Sequence, residues 1–563
     1  MLVKGTGLGT LLWVGATIAS VGLVACGKKR APAASLNPPC GSTCNVNAAG
    51  GAESAPPLDL DLDCGLSPEV QALHDQILQP AELAEQPATC EAAVAAKSYI
   101  GCEFWPTVTA NDVASIFDFA VVVANTGDKP AEVAVTYRDE ELARVTVAPE
   151  SLEKIFLPWV DELKASKERC GEGDGNESSV LLRRGAYHLT SDFPVVVYQF
   201  NPLEFAQAGG PPGKSWAECK NSEQPNSYSN DASLLLPTQA MGTSYRGMML
   251  LKASPGMSTL TVTAPSDHTR VTVYPPPDAA LAPGFGVRAS DDGEPQSFDL
   301  DAGDVLQMFP SSTTLNGAVV ESDHPVQVIS GNECTNVPDD VFFCDHLEET
   351  VPPAQALGRR YLLSAPTGPN STPIKYALQL NGNQDDTKLY YLGNKPKGAP
   401  SSLQAGQSVF LADVSGRFEV FADHEFGVLL FFQGGDREAA LSGNTDPSQS
   451  IAVPTEQFRR RYVFLAPDDY LVSYADVIAP AGTVIKLDGR VAETKRETFE
   501  CSGFELLRIW LDSSQGGIHV LEGSLPIGVQ VVGHASYTSY QYPGGLNVSV
   551  IAPEPTLPHP PVK

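Results

Sequence analysis

The chain has 563 residues, 42% of them hydrophobic, with 37 basic and 67 acidic side chains and a formal charge of −30. The length allows three or four domains of ordinary size, and the acidity excludes a nucleic-acid surface, which needs clustered Lys and Arg. Gly 49 and Pro 46 sum to 95 residues, above the roughly 12% average usage of the two together; with frequent Val/Tyr/Phe/Leu alternation this indicates an all-β chain of short strands and turns.

Residues 1–26 carry Lys4, an apolar run Leu11–Leu23 and then Leu23-Val-Ala-Cys26. The run is too short for a stable membrane span and reads as an export signal. Its end resembles a bacterial lipobox, in which Cys26 is diacylated and becomes the mature N-terminus; two acyl chains suffice for stable anchoring. Gly27 and Lys28 follow the Cys with no Asp beside it, which resembles outer-membrane sorting. The expected address is therefore a lipid-anchored body at the outer membrane, facing the periplasm or the cell surface and exterior. Residues 27–57 are rich in Ala, Gly, Ser, Asn and Pro and predict a flexible tether.

Residues 58–97 predict a helical cap. Ser67 is placed as an N-cap and Pro68 as the first helical residue, and Val70, Leu73, Ile77 and Leu78 share one face. Asp59, Asp61 and Asp63 just before it imitate part of a calcium loop, but Cys64 and Val70 occupy the places where an EF-hand needs Gly and Glu. Calcium is the one cofactor that acidic loops would attract, and no motif-defined metal site is present.

A repeat organises the rest. Gly185–Phe200 contains Ser-Asp-Phe-Pro194 between two β-favouring runs and predicts a hairpin. The pattern returns at Gly317 to Pro325, at Gly416 to Glu425 and at Gly517 to Pro526. A second landmark, Pro followed by Tyr eight residues on, stands at Pro237/Tyr245, Pro353/Tyr361 and Pro454/Tyr462. A third, Asp301-Ala-Gly303 and Gln404-Ala-Gly406, marks a turn before a strand. The units run 98–235 (with an inserted loop, Asn201–Asn230), 236–350, 351–452 and 453–551, followed by a Pro-rich tail, 552–563. Units near 100 residues with six or seven strand-like runs predict about four tandem antiparallel β-sandwich-like repeats; a β-propeller is the alternative.

Setting Cys26 aside leaves ten Cys residues, an even number that favours disulfides in an exported chain. Cys334 and Cys344 form the best local pair, closing a Pro-Asp turn. Cys170 and Cys219 flank the first copy of the hairpin, Cys40 and Cys44 are close together in the tether, and Cys64, Cys90 and Cys102 are further candidates, Cys64 or Cys90 tying down the cap. No spacing is that of a zinc site.

Three stretches carry a family resemblance: Thr190–Leu203, Ser229–Thr238, and Cys344–Pro353 leading to Gly358 and Tyr361. On these the chain resembles the IgGFc-binding protein N-terminal domain family, named for a mucus protein and widespread in bacterial surface lipoproteins, over roughly residues 98–545. The resemblance implies an extracellular, non-catalytic binding or adhesion role toward a glycan, matrix or surface-protein ligand. It does not imply immunoglobulin binding, and it defines no binding residues.

No HExxH, GxSxG, phosphate-binding glycine loop or CxxC occurs, so no catalytic residue is expected. Asp-His pairs stand at 267/268, 323/324, 345/346 and 423/424. Two of them fall at the repeated turn, where Asp is a natural turn former; Asp345 and His346, which directly follow the Cys344 staple, are kept as candidate binding residues. Trp216 is a third, because a long disulfide-tied loop on a β scaffold is a natural binding element. Arg459–Arg461 reads as a solvated strand edge. Trp105, Trp159 and Trp510 read as packing rather than sugar-stacking groups. An envelope polysaccharide hydrolase and a structural envelope component are the competing functions; a cleft flanked by two carboxylates would favour the hydrolase, and an exposed aromatic patch without one would favour the binder.

Overall fold

A computed structural model describes residues 64–77, 86–171, 178–220, 226–311, 314–368, 374–435, 446–467, 470–511, 517–535 and 537–558. The lipobox with Cys26, the tether with Cys40 and Cys44, the Asp59–Asp63 run and Leu78 lie outside the described residues. Four curled antiparallel sheets, of seven, eight, seven and eight strands, follow one another along the chain, so the fold is all-β. Strand Val180–Leu182, which precedes the first landmark, joins the second sheet through Val305–Gln307, tying the first two units together.

Each sheet is built on one long strand, here called its spine: His188–Phe200, Val319–Thr335, Arg417–Phe431 and Ile518–Ala535. This corrects the hairpin reading, because the chain runs straight through Ser-Asp-Phe-Pro194 and its copies without reversing. Those residues form a wide bulge instead. In the first unit Glu103 pairs with Thr190 and Gly101 with Val195, and the same skip recurs at Ser244/Glu321 and Gly242/Val326, at Arg360/Phe421 and Gly358/Phe426, and at Arg461/Glu522 and Arg459/Ile527. Pro has no N–H to give to a ladder and is tolerated at a bulge. The Asp beside it supplies a ladder acceptor from its side chain: Asp192 accepts from Glu132 N at 2.7 Å, Asp323 from Arg270 N at 2.8 Å and Asp423 from Lys388 N at 2.7 Å.

The second landmark braces the first. Pro237, Pro353 and Pro454 each enter a single 3₁₀ turn that leads into the opening strand of the next sheet. The Tyr hydroxyl on that strand then spans the bulge. Tyr245 accepts from Gly242 N at 2.8 Å and donates to Val326 O at 2.5 Å. Tyr361 joins Gly358 N to Phe426 O, and Tyr462 joins Arg459 N to Ile527 O. In the first unit the register puts Phe104 at this place, and it has no hydroxyl to form the brace.

Beyond its bulge each spine pairs with an inner strand: Ala232–Leu234, Asp345–Thr350, Gln449–Ile451 and Thr538–Pro543. Each inner strand packs against the next and the fourth packs against the first, so the four sheets close into a ring. The inner half of the first spine is therefore covered on both faces, which is why Val195–Phe200 is buried without alternation. Hydrophobic clusters run across the seams: one joins the fourth unit to the first, another the second to the third, and another the first to the second. Closure is completed by the two ends of the body, where Ser98 bridges Asn547 and Val548 N donates to Lys97 O at 3.1 Å.

The cap contains two helices. In α1 (Pro68–Ile77), Val70, Leu73 and Ile77 pack on Leu392 and Phe421 of the third unit. The second, α2 (Cys90–Ala96), was not expected; Thr89 caps it, accepting from Ala92 N at 3.2 Å. Four disulfides join described residues: Cys64–Cys501, Cys90–Cys102, Cys170–Cys219 and Cys334–Cys344. Arg459 and Arg461 do not form the solvated edge read from the sequence. Arg459 is buried beside Tyr99, and Arg461 reaches Thr126 O at 2.8 Å and Glu150 at 2.6 Å, both in the first unit, so the pair stitches the closing seam.

Candidate functional site

The four connections that leave the spines and enter the inner strands lie at one end of the ring. Their described residues are 201–220 with 226–231, 336–344, 432–435 with 446–448, and 537. In three units the residue a few places before the inner strand is aromatic and left-handed: Tyr228 at φ 50°, Phe343 at φ 73° and Tyr537 at φ 60°. A left-handed backbone is unfavourable for a bulky side chain, and residues held that way concentrate at ligand clamps and switch regions.

These rings touch one another across the units. Phe343 lies 5.2 Å from Tyr537, Tyr537 6.3 Å from Tyr228, Tyr228 6.2 Å from Phe205, and Phe205 5.8 Å from Tyr470. The result is an arc of aromatic side chains drawn from the first, second and fourth units. Its two ends point outward: Phe342 is 71% exposed and Phe343 41% at one end, and Leu471 is 64% exposed at the other. The Cys334–Cys344 bond closes the loop that carries the two Phe residues, and Gly434 N donates to Val337 O at 2.8 Å, so the third unit supports that loop.

Below the arc is a polar floor. Asp231 accepts backbone N–H groups from Ala232 at 2.9 Å, Glu348 at 3.1 Å and Gln449 at 2.9 Å, and so pins the first three units together. Glu349 accepts from Ser450 Oγ at 3.0 Å and from Ile451 N at 3.3 Å. Glu348 takes four donors, from Gln199, Ser233, Thr109 and Asn201. Burial pushes the carboxyls of Asp231, Asp345, Glu349 and Asp446 well above the usual range, and the mutual repulsion of Asp345 with Asp446 and Asp231 adds to it. These acids hold the inner strands in register, and among the described residues no group of three or more His, Cys, Asp or Glu side chains is placed to hold a metal ion.

Asp345 and His346 belong to this floor, fully buried: Asp345 Oδ1 accepts from His346 N at 2.7 Å, and His346 Nε2 lies 3.1 Å from Asn201 Nδ2. They follow Phe343 closely in the chain but are buried rather than on the surface. Trp216 lies in the inserted loop with Lys214 Nζ 4.1 Å over its ring and Phe117 5.4 Å behind it, and Cys170–Cys219 fastens the same loop. Lys214 is itself held between Glu204 and Asp118 at 2.6 Å each, and burial pushes the Glu204 carboxyl up to about 7 even with that partner. The structure does not bring Trp216 to the arc; the same loop contributes Phe205 and Tyr228 instead. Trp105 is buried and stacked on His188 at 4.2 Å.

Two grooves bear on catalysis. The cleft between the third and fourth units is lined by one carboxylate, Asp476, which is bound bidentately by Arg508 at 2.7 Å. The groove at the closing seam holds Glu150, Asp488 and Glu522, but Glu150 and Glu522 are paired with Arg461, and Asp488 accepts from Val520 N at 2.8 Å.

The geometry is that of a disulfide-stapled β ring that displays an aromatic arc, with the buried acids of the floor committed to the frame. The chain belongs to the IgGFc binding protein family, whose sequence model matches residues 231–533, from the first inner strand to the fourth spine. No curated protein matches it.

Proposed function

We propose that this is a non-catalytic surface binding protein, held at the outer membrane through acylated Cys26 and the 27–57 tether, which recognises a surface protein or glycan through the aromatic arc. The observation that carries the reading is the set of three left-handed aromatic residues, Tyr228, Phe343 and Tyr537, brought into ring contact from three different units. Strain of about 1–3 kcal/mol at each such residue is retained where the surrounding frame fixes a surface in advance, which lowers the ordering cost of binding. Hydrolysis is less well supported, because the carboxylates of both grooves are engaged by Arg side chains or backbone N–H groups.

The test is binding of the body, residues 58–563, to an array of glycans and surface-protein extracts, repeated with Phe342→Ser combined with Tyr537→Gly. Saturable binding that falls at least tenfold in the variant, with an unchanged melting temperature, is the expected outcome. Binding unaffected by these changes, or turnover of an envelope polysaccharide, would overturn the reading. For the anchor, Cys26→Ser in the full chain is expected to release the protein from membranes, and retention there would refute acylation at Cys26.

A further inference from the structure

The four seams of the ring are not equally filled. Counting three residues on from the brace position reaches Thr107, Met248, Ser364 and Leu465 in the successive units. Thr107 is bonded into a buried network with Thr263 and Gln199. Met248 lies against Gly427 of the third unit, inside the cluster that spans that seam. Leu465 belongs to the cluster that closes the fourth unit on the first. Ser364 joins no cluster across its seam: the core around Tyr361, Leu378 and Phe418 contains no fourth-unit residue, and what bridges to the fourth unit is small, Ile374 and Phe432 with Tyr474 and Val532, Leu362 with Phe499 and Leu506, and Ala356 at the edge of the cluster that closes the ring. A cleft of about 60 Å³, open at its mouth, occupies the place, and Ser364 lines it.

The wall is apolar, with Leu362, Phe432, Phe458, Ile478, Leu506 and Val532 facing the space. Most of its polar side chains already have partners: Gln541 Nε2 donates to Leu430 O and Ser448 O, Gln530 Nε2 to Ser450 Oγ, and Arg508 to Asp476. A cleft with such a lining is of the kind that takes apolar groups; its one unmet hydrogen bond among these side chains is the buried Tyr376 hydroxyl, and the rest of its wall is apolar or already paired. The neighbouring seam shows which shape the slot accepts, since its occupant, Met248, is an unbranched apolar chain.

We propose that the cleft between the third and fourth units receives the end of an unbranched hydrocarbon chain, the acyl chain of a fatty acid or lipid, which takes the place that Met248 fills one seam earlier. The site is separate from the aromatic arc and does not depend on it.

The probe is cis-parinaric acid, whose fluorescence rises on entering an apolar site, titrated into the body of residues 58–563. Saturable binding at one site, displaced by palmitate, is expected. Ser364→Met should weaken it at least tenfold without lowering the melting temperature, because the added side chain restores the packing of the neighbouring seam. Ala452→Leu, at another position that lines the same cleft, serves if Ser364→Met fails to fold. Phe342→Ser should leave binding unchanged. Competition by phospholipid vesicles as strong as by palmitate would identify membrane lipid as the source of the chain, and competition by palmitate alone a free fatty acid. Absence of saturable binding, or binding that survives both filling variants, would overturn the proposal.

Discussion

Glu419 offers the most direct measure of how the ring holds together. Arg360 and Glu419 are fully buried and bidentate, at 2.8 and 2.7 Å, and His74 of α1 contacts the same carboxylate at 2.6 Å. Glu419→Gln keeps the shape and leaves the Arg360 charge buried without its counter-charge, a change that costs about 3–5 kcal/mol in such pairs. The effect on melting depends on how much of the chain unfolds together. With an unfolding entropy of roughly 2 cal/mol/K per residue, a single unit of ~100 residues would lose about 15–25 °C, whereas the whole body of 506 residues (563 − 57) would lose only about 3–5 °C. Because hydrophobic clusters cross the seams, calorimetry of residues 58–563 is expected to show one transition, lowered by the smaller amount. The double variant Arg360→Met with Glu419→Leu should recover most of the loss, since apolar pairs replace buried ion pairs with little cost. A separate low-temperature transition in Glu419→Gln would refute cooperative melting of the ring, and no shift at all would refute the desolvated pair.

Two further predictions concern single side chains. His534 is buried against Phe432, and burial pushes its pKa down to about 4 even with the Thr367 backbone beside the ring. With the unfolded value near 6.5, the unfolded chain takes up the proton first as pH falls. Its contribution is therefore complete above about pH 6.5 and about 3 kcal/mol is lost by pH 4. His534→Phe should flatten that part of the urea-midpoint profile, and an unchanged profile would refute the assignment. Tyr361→Phe removes the brace between Gly358 N and Phe426 O and is expected to lower stability by about 2 kcal/mol in urea unfolding, while Phe at the first-unit position, residue 104, marks a bulge that stands without one.

Much of the architecture was legible because it repeats. The Pro-to-Tyr spacing and the Asp of the bulge recur in register, and the structure gives each a partner in the other: the Tyr hydroxyl bonds the carbonyl just past the bulge. What misled was the meaning of Asp. A side-chain acceptor serves a reversing turn and a bulge equally well, and the difference is decided by Glu132, Arg270 and Lys388, residues of the neighbouring strand whose N–H groups need that acceptor. Local signals were enough for α1 and would have been enough for α2, where Thr89 precedes an Ala-rich run. Long-range closure was not legible: Cys64 meets Cys501 across 437 residues, and nothing in the chain's periodicity marks the fourth unit as a neighbour of the first. The inserted loop did point to the candidate site, but through the wrong side chain, since a backbone φ such as that of Tyr228 leaves no compositional trace.

Closure of the ring also sets an order of events in time. The cluster that unites Tyr99, Val122 and Tyr198 with Tyr462, Val531 and Tyr542 joins segments at least 264 residues apart, and contacts of such sequence separation form late because the loop entropy must be overcome first. During synthesis the first unit must wait, its apolar flank bare, until the last unit arrives to cover it. That interval is when intermediates with exposed apolar surface associate wrongly, so a chain that ends before residue 546 is expected to aggregate rather than to survive as a shorter ring.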